Sequence, residues 1–335
     1  MSTPTPVAPF YLGIDVGGTN IKVGVVDDLG HSLSRVSAKT DAARGYLHGL
    51  DLMERLTQEA LRAAGLTRND LRGCGLATPG TMDIPAGRLL EPPNLPGWWD
   101  CPIRDLLSER LQLPTTLQND ANAAAYGEFW AGRARDAQSL VFWTLGTGVG
   151  CGIILDHLIV EGAHSHAAEC GHIIVEMHNG RRCGTGQYGT LEAYAGAKAL
   201  IARCHEALDA GEASVIREHL AKGEELNPLL IAQCAERGDP LCDRLVMESA
   251  RYMGVGTTTL MHTIDPEMVL IGGAMTFGRD ETPLGRRFIA ELRAEVKRRA
   301  FPIPAARTRI EYASLGGDAG YIGAAGCGRL KFGKT

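Results

Sequence analysis

Two stretches of this chain repeat each other's frame, and together they restrict the fold more than anything else in it. Gly18-Thr19 is followed five residues after the threonine by Gly24 and then Val25-Val26. Gly146-Thr147 is followed at the same distance by Gly152 and then Ile153-Ile154. Apolar runs precede both, at residues 11–14 and 140–145, and an aspartate follows both, at Asp27 and Asp156. Each stretch reads as strand, glycine turn, strand. Glycine lacks a Cβ, so backbone N–H groups there approach an anion closely. One such hairpin is an ordinary glycine turn. Two in one frame fit an internal duplication in which each half carries a phosphate-gripping hairpin. Further along the second segment stand Glu169 and His172, polar groups suited to a second substrate beside a nucleotide.

The 335 residues are enough for two domains. Net charge is −5 with no long basic run, which leaves no electrostatic footprint for nucleic acid. The arginines and lysine of residues 286–299 alternate with apolar residues at helical spacing and read as a solvated helix face. Nine cysteines, an odd number without a CxxC, suit reduced thiols in a cytoplasmic protein. The first residues show no basic-then-apolar leader, and no apolar run reaches membrane-spanning length. Residues 1–9, with three prolines, are expected to be a loose tail.

Strand patterns are expected at 21–26, 31–39, 71–76, 115–118, 173–176, 269–271 and 309–313. Helical spacing is expected over 50–64 (Leu52, Met53, Leu56, Ala60, Ala63), stopped by Gly65, and over 103–111, 123–130 and 191–207. It continues over 227–261, over 283–299 behind Thr282 as N-cap, and over 316–328. Strands alternating with helices make this an α/β protein in two parts. The expected domains are residues 1–118 and 119–315, with a hinge near 117–122 and helix 316–330 returning to the first domain. Two motif matches are discounted. Residues 328–335 fit GxxxxGKT but lack the strand before and helix after that a P-loop needs, and residues 184–189 fit GxGxxG without the strand and acidic partner of a dinucleotide site.

Six motifs, in order, resemble the ROK family of sugar kinases: Asp15-Val-Gly-Gly-Thr-Asn20, Asn119-Asp120-Ala-Asn122, Leu145-Gly-Thr-Gly-Val-Gly150, Glu169-Cys-Gly-His172, Leu191-Glu192-Ala-Tyr194 and Ile271-Gly-Gly-Ala274. The resemblance spans residues 11–328. It implies a two-domain actin-like (ribonuclease H-like) ATPase fold, with ATP and a sugar in an interdomain cleft. Gly17, Gly18, Thr19 and Asn20, with Gly146, Thr147 and Gly148, resemble the two phosphate hairpins. Asp15 resembles the acid that holds Mg2+ through water, and Gly272 and Gly273 the adenosine turn. Asp120 resembles the general base. Asn119, Glu169, His172 and Glu192 resemble the ligands of the sugar hydroxyls, and Asn94 resembles a residue lining the sugar pocket. The plain alternatives are a helix N-cap for Asp120, a first-turn acid for Glu192 and a strand-edge histidine for His172.

The implied activity is transfer of the ATP phosphoryl group to the 6-hydroxyl of a hexose, glucose first, with N-acetylmannosamine, N-acetylglucosamine and fructose as alternatives. The family's sugar-responsive repressors need a helix-turn-helix before the first hairpin, and Asp15 lies too near the start for one. A homo-oligomer, dimer or tetramer, is implied. The chain departs from the family at the structural zinc. Of its ligands His172 and Cys183 remain, while Thr185 and Thr190 stand at the other two positions, so zinc is expected to be absent. Hydrogen bonds from these threonines, or packing of Tyr188, are expected to hold the loop instead. Ser165 and Ala168 replace common glycines.

Overall fold

The computed structural model describes residues 5–333; residues 1–4 of the expected tail and the last two residues of the discounted P-loop match lie outside them. Two compact units emerge. The first comprises Met1–Leu140, Gly152–Ala168 and Ser314–Thr335, the second Val141–Cys151 and Glu169–Ala313. The boundary expected at 118/119 falls inside the first unit.

In the first unit, β1 (Phe10–Val16), β2 (Asn20–Val26) and β3 (Ser32–Lys39) form an antiparallel meander. Helix α1 (Gly45–Ala64) begins five residues before the expected start and ends at Gly65, whose φ of 67° is the left-handed turn that glycine accepts. Strand β4 (Leu71–Thr78) pairs parallel with β1, a short hairpin β5 (Met82–Asp83) and β6 (Arg88–Leu89) follows, and α2 (Ile103–Leu111) leads to β7 (Thr115–Asn119), parallel to β4. The sheet order is β3-β2-β1-β4-β7.

Alternation along β1 sorts its two faces. Leu12, Ile14 and Val16 join Leu52, Met53 and Leu56 of α1 and the buried Trp98 in the main core. On the other face lie α3 (Asp120–Trp130) and α11 (Ala319–Phe332). The chain reaches α11 through β8 (Leu140–Leu145), β9 (Val149–Leu155), β10 (Leu158–Ile159), α4 (Glu192–Ala195), α5 (Ala197–Asp209), α6 (Ile216–Ala221), α7 (Pro228–Glu236) and α8 (Pro240–Ile264). It continues through β11 (Met268–Gly273), α9 (Pro283–Arg299), α10 (Pro302–Arg307) and β12 (Arg309–Tyr312) to α11 (Ala319–Phe332). Cβ atoms at Gly13 and Gly75 would lie 1.8 and 1.7 Å from carbonyl oxygens of α11, so glycine there lets the helix lie directly on the sheet.

The second sheet has the order β10-β9-β8-β11-β12. In the second unit Trp143 of β8 is buried and donates to Thr257 Oγ1 of α8 at 3.1 Å. Three expectations are corrected. Residues 173–176 form no strand, only an isolated bridge from Ile174 to Thr190. The helix expected over 191–207 breaks at Gly196, whose extended backbone (ψ 161°) separates α4 from α5. The helical run 227–261 breaks at Gly238 (φ 90°), and Asp239 caps α8 afresh. Thr282 caps α9 as expected, accepting from the Gly285 N–H. No described helix is long and apolar enough to cross a membrane.

Candidate active site

In the first unit the turn between β1 and β2 is closed by Gly17 N–H to Asn20 O at 2.9 Å. Fully buried Thr40 braces it from behind: its hydroxyl donates to Gly17 O at 2.6 Å and its N–H to Thr19 O at 2.9 Å. In the second unit the turn between β8 and β9 is closed by Gly146 N–H to Gly148 O, and the N–H groups of Ala197 and Lys198 at the start of α5 take the Gly146 and Thr147 carbonyls. Both hairpins therefore have two carbonyl oxygens, groups that repel a phosphate, held by donors of their own unit. Thr40 carried no sequence signal; only its burial and bonding identify it.

Asp15 at the end of β1 is half-buried. Desolvation raises its carboxyl pKa, and Lys22, its partner across β1–β2, opposes that. Lys22 also donates to Gly317 O at 2.7 Å. The Asp15 carboxylate lies against Gly320 in the first turn of α11, where a Cβ would sit 2.4 Å from Oδ2. Asn94 lies against Gly18, its carbonyl 3.2 Å and its Cβ 3.3 Å from where a Gly18 Cβ would be.

At the corner from β7 to α3 the cap is Asn119, not Asp120. Asn119 Oδ1 accepts the N–H groups of Ala121 (2.9 Å) and Asn122 (3.2 Å), leaving the Asn119 amide nitrogen as the donor to offer. Asp120 is the first helical residue, half-buried, with Oδ1 accepting the Ala121 N–H at 2.9 Å.

In the second unit Glu169 opens a 3-10 turn ending at His172. His172 Nδ1 is buried without a protein partner among the described residues, a polar atom that a ligand would satisfy. Glu192 does more than its sequence position implied. One carboxylate oxygen accepts the Val149 N–H at 3.1 Å and lies against Gly148, where a Cβ would be 2.0 Å from it. The Gly272-Gly273 turn closes on β8: Gly273 has φ 91°, and Met275 N–H donates to Leu145 O at 3.0 Å. Beside it opens a mostly apolar cavity of about 420 Å3, lined by Gly146, Thr147, Leu229, Ala274, Met275 and Phe277 among others.

The loop expected to lack zinc has a donor set that does not fit that metal. The Cys183 thiol is 3.0 Å from Thr185 Oγ1 and 3.3 Å from Gln187 Oε1, and threonine hydroxyls are not zinc ligands. Burial raises the Cys183 pKa, but bonds from Thr185 outweigh it and bring the thiol down to about 7. Among the described residues no group of three His, Cys, Asp or Glu is placed to hold a metal ion. Tyr188 does not pack into the body; it is 64% exposed. Ser165 and Ala168 adopt the left-handed backbone, φ 58° and 64°, that glycine takes at no steric cost.

Residues 11–327 match the model of the ROK family. A glucokinase of Halalkalibacterium halodurans is 30% identical over 314 residues, 94% of this chain and 93% of that protein. A xylose repressor of Caldicellulosiruptor bescii is 29% identical over 91% of this chain and 74% of its own length. A solved ROK glucokinase from Streptomyces griseus, in complex with glucose and AMPPNP, superposes with a TM-score of 0.76 at 30% identity, over 96% of this chain and 99% of that one.

Proposed function

The chain belongs to the ROK family, and from that membership we propose that it is an ATP-dependent kinase acting on the 6-hydroxyl of a hexose, glucose first. The observation that carries this reading is the second hairpin: a glycine turn with its carbonyls satisfied from behind, opening beside a cavity suited to an apolar base. The Streptomyces griseus relative, which binds AMPPNP and glucose, supports ATP and sugar as the ligands.

Bound ATP with Mg2+ supplies the phosphoryl group and the charge neutralisation that such transfers need. Asp15, a half-buried carboxylate at the end of β1, is the residue that would hold Mg2+. Gly17, Gly18, Thr19 and Asn20, with Gly146, Thr147 and Gly148, grip phosphate, and Gly272 and Gly273 shape the adenosine side. Asp120 accepts the proton of the sugar hydroxyl and orients it; a carboxylate serves because the proton leaves late in a loose transition state. Asn119 donates from its amide nitrogen to a sugar hydroxyl. Glu169, His172, Glu192 and Asn94 take the remaining hydroxyls, with Glu192 also bracing the hairpin. Zinc is left out, and a cytoplasmic homo-oligomer completes the reading.

A coupled assay of ADP release over glucose, N-acetylmannosamine, N-acetylglucosamine and fructose tests it. Glucose is expected to give the highest kcat/KM. The xylose repressor relative supports a second reading, a sugar-responsive regulator. Sugar binding by calorimetry with no ADP release on any hexose would decide for that reading.

A further inference from the structure

Gln118, the residue before Asn119, is only 2% exposed, and both ends of its amide are used. Its Oε1 accepts the Asn119 N–H at 2.8 Å and the Asn122 Nδ2–H at 3.2 Å. Its Nε2 donates to Glu161 Oε1 at 2.7 Å. Turning the amide over would set NH2 against two donors and a carbonyl against a carboxylate, so its orientation is determined. Glu161 is itself anchored within the first unit. Val160 N–H bonds Ile153 O of β9 at 2.9 Å, and the Glu161 carbonyl accepts the Ala167 N–H at 3.1 Å. The cap that presents Asn119 and Asp120 is thus tied through one buried amide to a carboxylate 43 residues away in sequence.

We propose that Gln118 is a positioning residue for the transfer, and that the donor-to-acceptor polarity of the Gln118–Glu161 pair holds the corner from which Asp120 acts. The proposal rests on the reading of Asp120 as proton acceptor. A hydrogen bond to a carboxylate is among the stronger kinds and constrains geometry as well as energy. Small displacements at such a corner cost rate because the reacting hydroxyl must be aligned.

Reciprocal exchange tests it. Gln118→Glu sets two carboxylates at hydrogen-bond distance, where they repel when both are ionised and are joined again only when a proton is shared between them. Among the described residues, Arg104 of α2 and Lys331 of α11 line the same cavity of about 490 Å3 as Glu161, and the Cys327 thiol near it is kept neutral by burial. Gln118→Glu with Glu161→Gln again sets a donor against an acceptor and leaves the bonds to Asn119 and Asn122 intact.

In Gln118→Glu we expect kcat at pH 8 to fall about tenfold or more, recovering as pH drops to 6 and a proton re-enters the pair. KM for ATP should stay within about twofold, since binding that does not change with the transition state is read in KM. The double variant should regain kcat to within about threefold and lose the recovery at low pH. Wild-type kcat in Gln118→Glu at pH 8, or a double variant as impaired as the single at equal Tm, overturns the proposal. If Gln118→Glu does not fold, Gln118→Met asks the same question without charge, and undiminished kcat there has the same meaning. Asp120→Asn is measured alongside. Full turnover in that variant removes the assignment on which the proposal rests, whereas a loss there beside an unaffected Gln118→Glu rejects the positioning role alone.

Discussion

Asp120 is the residue on which the proposed chemistry turns, and its place at the head of α3 separates catalysis from stability. Asn119, not Asp120, caps the helix, so Asp120→Asn removes no cap, and the carboxylate's interaction with the helix N-terminus is worth about 0.3–1 kcal/mol. The expected outcome is a kcat lower by about 10²-fold or more with Tm and sugar binding nearly unchanged. Near-wild-type turnover in the purified variant would exclude the role. Asp239 is the opposite kind of residue. It caps α8 through Cys242 N–H and also accepts the Ser214 hydroxyl and Val215 N–H at 2.8 Å. Burial would raise its pKa, but these bonds outweigh burial and hold it below the ordinary aspartate value. A lowered pKa stabilises the fold above the ordinary value and is lost as pH falls through the folded one. Asp239→Ala should therefore cost about 2 kcal/mol at neutral pH, and the gap from wild type should narrow only below about pH 4. Urea melts at pH 7 and pH 3.5 check it; an equal gap at both would remove the carboxylate from the account.

Elements were legible wherever a local pattern decides them. Apolar runs on either side of a glycine turn marked β1 and β2, helical spacing marked α2 and α9, and Gly65 marked the end of α1. What the pattern could not show was where glycine interrupts a helix that composition would continue, as at Gly196 and Gly238, or that residues 173–176 find only one bridging partner. Those outcomes depend on tertiary neighbours. The candidate site was legible as motifs, while its supports, Thr40, Lys22 and the Gln118–Glu161 pair, lie far apart in sequence and carry no motif. The hairpin shows why this matters for choosing a variant. A side chain at Gly148 would strike Glu192, so Gly148→Val disturbs a proposed sugar ligand as well as the phosphate grip. Gly146 has nothing within 4 Å of where its Cβ would be. Gly146→Val should thus fold normally and weaken ATP binding by about tenfold or more while sparing sugar, because only the approach of an anion to the turn is obstructed. Calorimetry on both ligands is the check, and unchanged ATP affinity would sink the assignment of this hairpin.

For the whole molecule the question is which ions and thiols it needs in order to stand. Loop 179–190 is closed by backbone bonds: Cys183 N–H to Gln187 O at 2.8 Å and Gly189 N–H to Arg181 O at 2.8 Å within it, and Val175 N–H to Gly189 O at 2.8 Å from the segment before it. Arg181 N–H bonds the Tyr194 hydroxyl at 2.9 Å, and the Tyr194 ring stacks on Tyr252 with centroids 4.4 Å apart. Nothing in that set asks for a metal, and a structural zinc normally contributes of order 10 kcal/mol of apparent binding energy through four N or S ligands. With Thr185 and Thr190 in two of the four positions, the expected protein purifies with far less than one zinc per chain. It should keep its Tm and its activity after strong chelation once Mg2+ is restored. The thiols give an independent readout. All nine cysteines are free and buried, and burial pushes most of those shifted upward, Cys101 and Cys204 to about 11 and Cys74 to about 12. Cys183, at about 7, should react first with an alkylating agent, at a rate that rises through neutral pH and is indifferent to chelator. A Cys183 thiolate held by zinc would be protected until the chelator was added. Elemental analysis finding about one zinc per chain, lost together with activity and Tm, would show that the threonines did not displace the metal.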